Sequence, residues 1–168
     1  NVLTQRLESL EEVGILMRYR LPSPANVQVY DLTDWGREAA PLMRAMGRWA
    51  ARSPRHDRSL FMSAASAMMS LQALIDPKRA AELPVSVAFH FPGEDFGATV
   101  TGGGILVRRG AMEASDLAFT GDTMAMRRTI YGKEPLTASG EGGTLAIAGD
   151  MVAAQRFVDL FRLSDKIA

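Results

Sequence analysis

The first 33 residues constrain the fold most, because they combine a short amphipathic helix with two β-prone segments around a proline-rich turn. Three leucines at three- and four-residue spacing share one helical face. Gly14 follows, where a helix C-cap needs a residue that tolerates positive φ. Residues 15–20 and 27–32 are rich in β-branched and aromatic side chains, and residues 22–26 (PSPAN) predict the loop between two strands. The leucines are Leu3, Leu7 and Leu10.

A helix followed at once by a hairpin is the second half of a winged helix-turn-helix. In that arrangement the helix enters the DNA major groove and the hairpin, or wing, lies along the backbone. With the leucines facing inward, the opposite helix face offers side chains for base edges, and arginines on the wing suit phosphates. The alternative is an ordinary helix and hairpin with solvated faces. The candidate DNA-contacting residues are Asn1, Gln5, Arg6, Ser9, Arg18 and Arg20.

About the first fifty residues resemble the HxlR-type winged-helix transcription regulators. The resemblance rests on residues 3–7 (LTQRL), on residues 10–12 (LEE) with Gly14, and on residues 30–33 (YDLT) with Gly36. It implies a transcription regulator that binds double-stranded DNA as a homodimer. The chain starts at the recognition helix without an initiator methionine, so we expect the family's preceding helices to be missing from it. The chain has no cysteine, which removes the thiol redox sensing known in part of that family.

Charge and composition narrow the function classes. The formal net charge of the 168 residues is zero, so the whole chain has no general attraction for nucleic acid. However, no lysine precedes Lys78, and the basic residues of the first sixty positions are arginines, which can bind guanine and phosphate in a forked geometry. A GC-rich genome would produce the same arginine bias. No apolar run approaches the ~20 residues of a membrane span, and we expect a cytoplasmic protein without a membrane partner.

The middle of the chain predicts two long helices separated by a break. Thr33 is placed to cap a helix that runs towards Arg52, with a kink or a late start near Pro41. Residues 53–58 carry proline and charges, and they predict a boundary between domains 1–53 and 58–168. Residues 60–76 predict the second helix. Four side chains of the first helical region are candidates for a dimer surface or for packing on the second domain, namely Trp35, Leu42, Met46 and Trp49.

From residue 84 the hydrophobic period changes to two, which indicates strands. The patterns predict five strands, a helix that opens at Asp122, a helical turn over residues 136–140 and a last helix that begins at Asp150. The expected fold class is α+β: a partial winged helix-turn-helix followed by a domain with a five-stranded, mainly antiparallel sheet and helices on one face. The strands are expected at residues 85–91, 96–101, 105–110, 117–120 and 144–148.

Residues 60–163 resemble the sterol-carrier-protein-like fold, most clearly near their end. The matching positions are Lys133, Ala138, Ser139, Gly140, Gly149 and Asp150, and residues 141–143 (EGG) depart from the family pattern. The resemblance implies an interior that can enclose a fatty acyl or sterol-like ligand. Flexible methionines suit such a pocket, although they suit an ordinary core equally well. The tentative pocket residues are Met62, Met69, Phe89, Phe91, Met124, Met126, Ile130 and Phe157.

The sequence contains few residue patterns that would indicate a metal, phosphate-binding or catalytic site. His56 and His90 are isolated and lack cysteine partners, so no metal site is predicted. Residues 102–104 (GGG) lack the lysine and serine or threonine of a phosphate loop. No acid, base and nucleophile assemble, and we expect neither an enzyme nor a cofactor. The sequence therefore favours a DNA-binding transcription regulator modulated by an apolar ligand. The alternative is a lipid-binding carrier or scaffold protein whose winged helix mediates protein contacts.

Overall fold

The computed structural model of the chain describes residues 2–57, 59–137 and 145–167. The chain divides into two compact units, Asn1–Ala45 and Met46–Ala168. The mixed helix and sheet content confirms the predicted α+β class. The predicted domain limits, 1–53 and 58–168, stay a prediction.

The first unit contains the predicted helix and hairpin. Its two strands pair antiparallel, with Arg18 opposite Tyr30. Gly14 has a φ of 80°, which confirms the prediction that the first helix is followed by a residue in a positive-φ conformation. The elements are α1 (Val2–Glu12), β1 (Leu16–Arg20), β2 (Gln28–Leu32) and α2 (Asp34–Glu38), and α3 (Ala40–Ala50) begins in this unit and ends in the second.

The predicted interruption near Pro41 is confirmed. Thr33 caps α2, because its side chain accepts a hydrogen bond from the Gly36 amide. The helix then stops at Ala39, and α3 starts at Ala40. Proline fits the first turn of a helix because its missing N–H would have no partner there. The predicted single helix is therefore two helices with a break of one residue.

The second unit is a five-stranded sheet with helices. Its helices are α4 (Ala64–Leu74), α5 (Pro77–Ala81), α6 (Thr123–Ile130) and α7 (Met151–Val158). Its strands are β3 (Val85–Phe91), β4 (Glu94–Thr101), β5 (Gly104–Arg109), β6 (Leu117–Thr120) and β7 (Ala146–Gly149). The strand order is β5-β4-β3-β6-β7, and only the β3–β6 pair is parallel among the described strands. The sheet is thus mixed, and mainly antiparallel as predicted.

The parallel pair arises from the connection between β5 and β6. This connection returns from the sheet edge across β4 and β3, on the face opposite the core. Met112 lies against Gly97 there, where a Cβ would approach the methionine Cγ to 2.4 Å. Asp116 at its end accepts hydrogen bonds from the Ser86 amide and hydroxyl at 2.7 and 2.6 Å. These bonds hold the pKa of the Asp116 carboxyl below its usual value.

Two predicted helical segments need correction. Helix α4 begins at Ala64 instead of residue 60, because the Ser63 side chain accepts a hydrogen bond from the Ser66 amide and caps the helix there. Thr137 forms a β-bridge with Ala146, so the helical turn predicted for residues 136–140 is wrong at its start. The rest of that turn and the first residue of the predicted fifth strand, Thr144, lie outside the described residues.

Candidate nucleic-acid interface and the core of the second unit

Thr33 and Gly36 join the end of α1 to the hairpin and to α2. The Thr33 hydroxyl donates to the Gly14 carbonyl at 2.7 Å and accepts from the Gly36 amide at 3.0 Å. The Thr33 amide donates to the Ile15 carbonyl at 3.0 Å. A Cβ on Gly36 would lie 2.2 Å from that same carbonyl oxygen, so only glycine fits. Both residues belong to the motif that carries the HxlR resemblance, and the structure gives them a positional role.

The candidate base-contacting residues Gln5, Arg6 and Ser9 lie exposed on α1. The Ser9 hydroxyl donates to the Gln5 carbonyl at 2.9 Å, so its oxygen remains able to accept hydrogen bonds. Asn1 lies outside the described residues. Of the three leucines expected to face inward, Leu7 is half-buried, whereas Leu3 and Leu10 are 63% and 37% exposed. The helix packs on strand β1 within this unit.

The two wing arginines are each held by a neighbour. Arg18 forms an ion pair with Glu11 on α1, with 3.3 Å between Nε and Oε2. Arg20 donates from Nη1 to the Asn26 side-chain oxygen at 3.3 Å. Both arginines remain exposed, and they alternate onto one side of β1. A phosphate could bind Arg20 directly, whereas at Arg18 it would compete with Glu11.

A second ion pair fixes the other side of the hairpin. Arg37 Nη2 lies 2.9 Å from Asp31 Oδ2, and the Leu32 amide donates to Asp31 Oδ1 at 2.7 Å. The hydrogen bond from Arg37 lowers the pKa of the Asp31 carboxyl, and the Leu32 amide adds to the effect. This pair ties β2 to α2 and therefore contributes to the angle between wing and helix.

The residues predicted to line a ligand pocket lie in different environments. Phe89, Phe157, Met126 and Ile130 are fully buried and Phe91 is nearly so. Met62 and Met124 are half-buried. Met69 is 59% exposed on α4, which does not suit the lining of an enclosed cavity.

Aromatic rings occupy the centre of the second unit. The Phe89 ring lies 5.4 Å from Phe119 and 6.1 Å from Phe157, measured between centroids. Phe157 in turn lies 5.1 Å from Phe161 at an angle of 68°. Offset and edge-to-face pairs at these distances are favourable. An apolar ligand in this core would have to separate rings that now pack against one another.

Several residues outside the predicted sites order the second unit. The buried Arg127 donates to the Leu60 carbonyl at 2.6 Å, and the Thr123 hydroxyl donates to the Met62 carbonyl at 2.9 Å. Lys133, which the resemblance had singled out, donates to the Val158 and Phe161 carbonyls and so caps the end of α7. Burial lowers the pKa of its ammonium group.

The Ser70 hydroxyl donates to the Ala67 carbonyl at 2.6 Å and lies 2.6 Å from the Tyr131 hydroxyl. Since a carbonyl can only accept, Tyr131 donates to Ser70. Burial raises the pKa of the Tyr131 hydroxyl. The pair therefore joins α4 to the residue after α6 without presenting an ionised group. Sequence spacing gave no signal for it, because 61 residues separate the partners.

Within residues 2–57, 59–137 and 145–167, no group of three or more histidine, aspartate or glutamate side chains is placed to bind a metal ion. His90 contacts Asp95 instead, with Nδ1 and Oδ1 2.8 Å apart. None of the helices in the described part of the chain has the length and hydropathy to cross a bilayer.

The comparison with protein families concerns the first unit and the start of the second. Residues 1–57 match the HxlR-like helix-turn-helix family. The match covers α1, the hairpin, α2 and α3, and it confirms the resemblance carried by residues 3–36. An HxlR-like helix-turn-helix supports a DNA-binding regulator. No curated protein sequence matches the chain.

Solved structures resemble the chain in fold. One is the inverting sec-alkylsulfatase Pisa1 from Pseudomonas, with a TM-score of 0.54, 17% identity and 64% of this chain covered. This chain spans only 17% of the sulfatase, so the likeness shows a shared fold for part of that enzyme. A ubiquinone synthesis protein, UbiJ-SCP2, matches with a TM-score of 0.41 and 19% identity, covering 71% of this chain and 88% of its own.

A crystal structure of sterol carrier protein 2 matches with a TM-score of 0.36 and 13% identity, covering 70% of this chain and 92% of its own.

Proposed function

We propose that this protein is a DNA-binding transcription regulator. The observation that carries the proposal is the HxlR-like match over residues 1–57. The hydrogen bond from the Thr33 hydroxyl to the Gly14 carbonyl supports it, because this bond fixes the recognition helix against the wing. Gln5, Arg6 and Ser9 on α1 would contact base edges, and Asn1 would join them. Arg18 and Arg20 on the wing would contact phosphates and set the register on the duplex.

A homodimer is part of the proposal. Two-fold symmetry in a helix-turn-helix regulator matches palindromic half-sites, so each copy would place one α1 in the major groove. We place the protein in the cytoplasm and assign it no catalytic step. The sulfatase likeness shows fold alone and supports no transfer of that enzyme's chemistry.

We further propose that a fatty acyl or sterol-like ligand in the second unit modulates DNA binding. The residues that would line its site are Met62, Phe89, Phe91, Met124, Met126, Ile130 and Phe157, with Met69 at its outer margin. Such a ligand can change DNA affinity only by binding two arrangements of the protein with different affinity. If saturating palmitate or cholesterol changes neither the melting temperature nor the DNA affinity, this part of the proposal fails.

The second candidate is a lipid-binding carrier or scaffold protein whose winged helix contacts proteins. The ion pair between Arg18 and Glu11 favours it, because that contact already occupies one of the two wing arginines. The zero net charge also favours it, since the chain offers no general attraction for nucleic acid.

Fluorescence anisotropy with labelled duplex DNA from the protein's own upstream region separates the two candidates. We expect the Arg18→Ala/Arg20→Ala variant to weaken binding at low salt at least tenfold. The matched control, Arg108→Ala/Arg162→Ala, removes the same charge from exposed positions of the second unit and should bind like the unaltered protein. Equal DNA binding by both variants would show that the wing arginines do not contact DNA.

Glu11→Gln provides an opposite test of the same surface. It removes a negative charge from α1 and releases Arg18 from its ion pair. If Arg18 contacts phosphate, the variant should bind DNA several-fold more tightly than the unaltered protein. Weaker binding would mean that Glu11 positions Arg18 for the contact.

A further inference from the structure

Residues 160–167 run from the aromatic core of the second unit to the segment that follows α3, and we call them the strap. The start of the strap is firmly held. Phe161 is fully buried and forms a β-bridge with Ile75. The Asp76 amide donates to the Leu160 carbonyl at 2.7 Å. The strap therefore begins inside the core, beside the end of α4.

The other end of the strap binds backbone carbonyls in the turn after α3. The Lys166 ammonium group donates to the Pro54 carbonyl at 3.2 Å and to the His56 carbonyl at 3.0 Å. The Ile167 amide donates to the Arg52 carbonyl at 2.9 Å. Carbonyls beyond the end of a helix have no partner inside it, and a nearby lysine can satisfy them. The strap thus closes the end of α3 with hydrogen bonds.

The residue type at position 166 fits this contact. Lysine is rare in this arginine-rich chain and occurs only as Lys78, Lys133 and Lys166. Lys133 and Lys166 each donate to two backbone carbonyls. An ammonium group is a compact donor with three hydrogens, whereas the planar fork of arginine matches carboxylates and phosphates. A lysine therefore suits a site where two carbonyls converge.

The end of α3 is also tied to the end of α4 within the second unit. The Arg48 side chain donates to the Ala73 carbonyl at 3.3 Å. The Arg162 amide of the strap donates to the next carbonyl, that of Leu74, at 3.3 Å. The ends of the two helices are therefore joined directly and through the strap.

We propose that the strap couples the packing of the aromatic core to the end of α3. Four residues separate Phe161, in the core, from Lys166, at the turn. A rearrangement of the rings that displaces Phe161 weakens the bonds from Lys166 and frees the turn after α3. Such coupling requires two arrangements of the strap with different free energies. It is a property of the second unit, and its use to regulate DNA binding by an apolar ligand rests on the proposed function.

Hydrogen exchange resolved by NMR tests whether the strap holds the turn. The amides of Arg52, Ser53 and His56 donate to carbonyls within α3 and the turn, so their exchange rates report on this segment. Lys166→Ala should raise these rates about fivefold, because two hydrogen bonds to the turn are lost. The matched control is Lys78→Ala, which removes an exposed lysine from α5 and should leave the rates unchanged.

A double-mutant cycle tests the coupling itself. Phe161→Leu should raise the exchange rates of the same amides in the unaltered background and add little in the Lys166→Ala background. Phe119→Leu is the control, because Phe119 is also fully buried in the core but lies on β6, outside the strap. It should leave the exchange rates of the turn unchanged. If Phe161→Leu fails to fold, Phe161→Met makes the same test with less loss of volume.

Three results would overturn the proposal. Exchange in the turn could be the same in Lys166→Ala as in the unaltered protein, in which case the strap does not hold the turn. Phe161→Leu and Phe119→Leu could accelerate it equally, or the effects of Phe161→Leu and Lys166→Ala could simply add. Either result would show that the core and the turn are independent. Because neither DNA nor lipid is present, failure of the proposed function would leave these measurements unaffected.

Discussion

The two units of this chain are organised by different interactions. In the first, Gly36 is the only buried residue among residues 2–45, and the helix, hairpin and second helix meet through hydrogen bonds and ion pairs. In the second, every buried apolar residue that the structure describes lies between Ala64 and Phe161, and six phenylalanine rings pack at its centre. The first unit is thus defined by a few directional contacts, and the second by burial of apolar area.

This difference decides how each unit should respond to substitution. Hydrogen bonds and ion pairs depend on the positions of individual atoms. Single substitutions in the first unit should therefore alter the geometry of that unit and leave the second unit intact. A core distributes its energy over many contacts, yet a large side chain at its centre still accounts for a sizeable part of the total. The following predictions test that contrast, from the largest expected effect to the smallest.

Phe157→Ala should destabilise the second unit most. Phe157 is fully buried and its ring contacts Phe89, Phe119 and Phe161, so truncation leaves a cavity among the rings. We expect a loss of about 3–5 kcal/mol in the free energy of unfolding by urea. Val152→Ala, on the exposed side of the same helix, should change it by less than about 0.5 kcal/mol. Similar losses for both variants would argue against an aromatic core.

Gly36→Ala should affect the first unit alone. The added methyl group would meet the Ile15 carbonyl oxygen at 2.2 Å, and this oxygen belongs to backbone that cannot move without displacing the hairpin. Overpacking of this kind costs about 1–3 kcal/mol. Hydrogen exchange should accelerate at the amides of β1 and β2 and stay unchanged in β3 and β4. Faster exchange in both sheets would show that the two units unfold together.

Thr33→Ala should have a smaller effect at the same joint. It removes the hydroxyl that links the Gly14 carbonyl to the Gly36 amide and leaves the backbone path unchanged. Loss of a capping side chain typically costs about 1 kcal/mol. Thr33→Ser keeps the hydroxyl and should restore most of the hydrogen-exchange protection of the hairpin. If serine and alanine behave alike, the methyl group of Thr33 matters instead of its hydroxyl.

The smallest expected effect is a pH dependence of hairpin protection, which arises from the ion pair between Asp31 and Arg37. The pKa of Asp31 is lowered from 3.8, so its stabilising contribution is complete above that value and is lost as the pH falls through the lowered pKa. Hairpin protection should therefore decrease below pH 4 in the unaltered protein and less so in Asp31→Asn. If hairpin protection varies with pH in the same way in both proteins, the ion pair does not contribute to the stability of the hairpin.

Local patterns predicted most of the elements. Alternation identified β3, and the aspartates at positions 122 and 150 do cap α6 and α7 as their places in the sequence suggested. The break near Pro41 also followed from local chemistry. These features depend on residues a few positions apart, which is the range over which turn, cap and periodicity rules operate.

Features that depend on distant partners could not be predicted in this way. The parallel pairing of β3 with β6 requires the connection over the outer face of the sheet, and the contact from Arg127 to Leu60 spans 67 residues. The leucines of α1 share a face as expected, but no periodicity rule states what covers that face. The candidate DNA-contacting residues were identifiable by type and spacing, whereas the ion pair that holds Arg18 was not.

The salt dependence of DNA binding tests the central claim most directly. Affinity for upstream duplex DNA would be measured by anisotropy at several salt concentrations, for the unaltered protein and for Arg18→Ala/Arg20→Ala. If the wing contacts phosphates, the logarithm of the affinity falls linearly with the logarithm of the salt concentration, and the variant's slope is smaller by about 2. A flat dependence in the unaltered protein, or equal slopes for both proteins, would contradict the assignment of α1 and the wing to DNA.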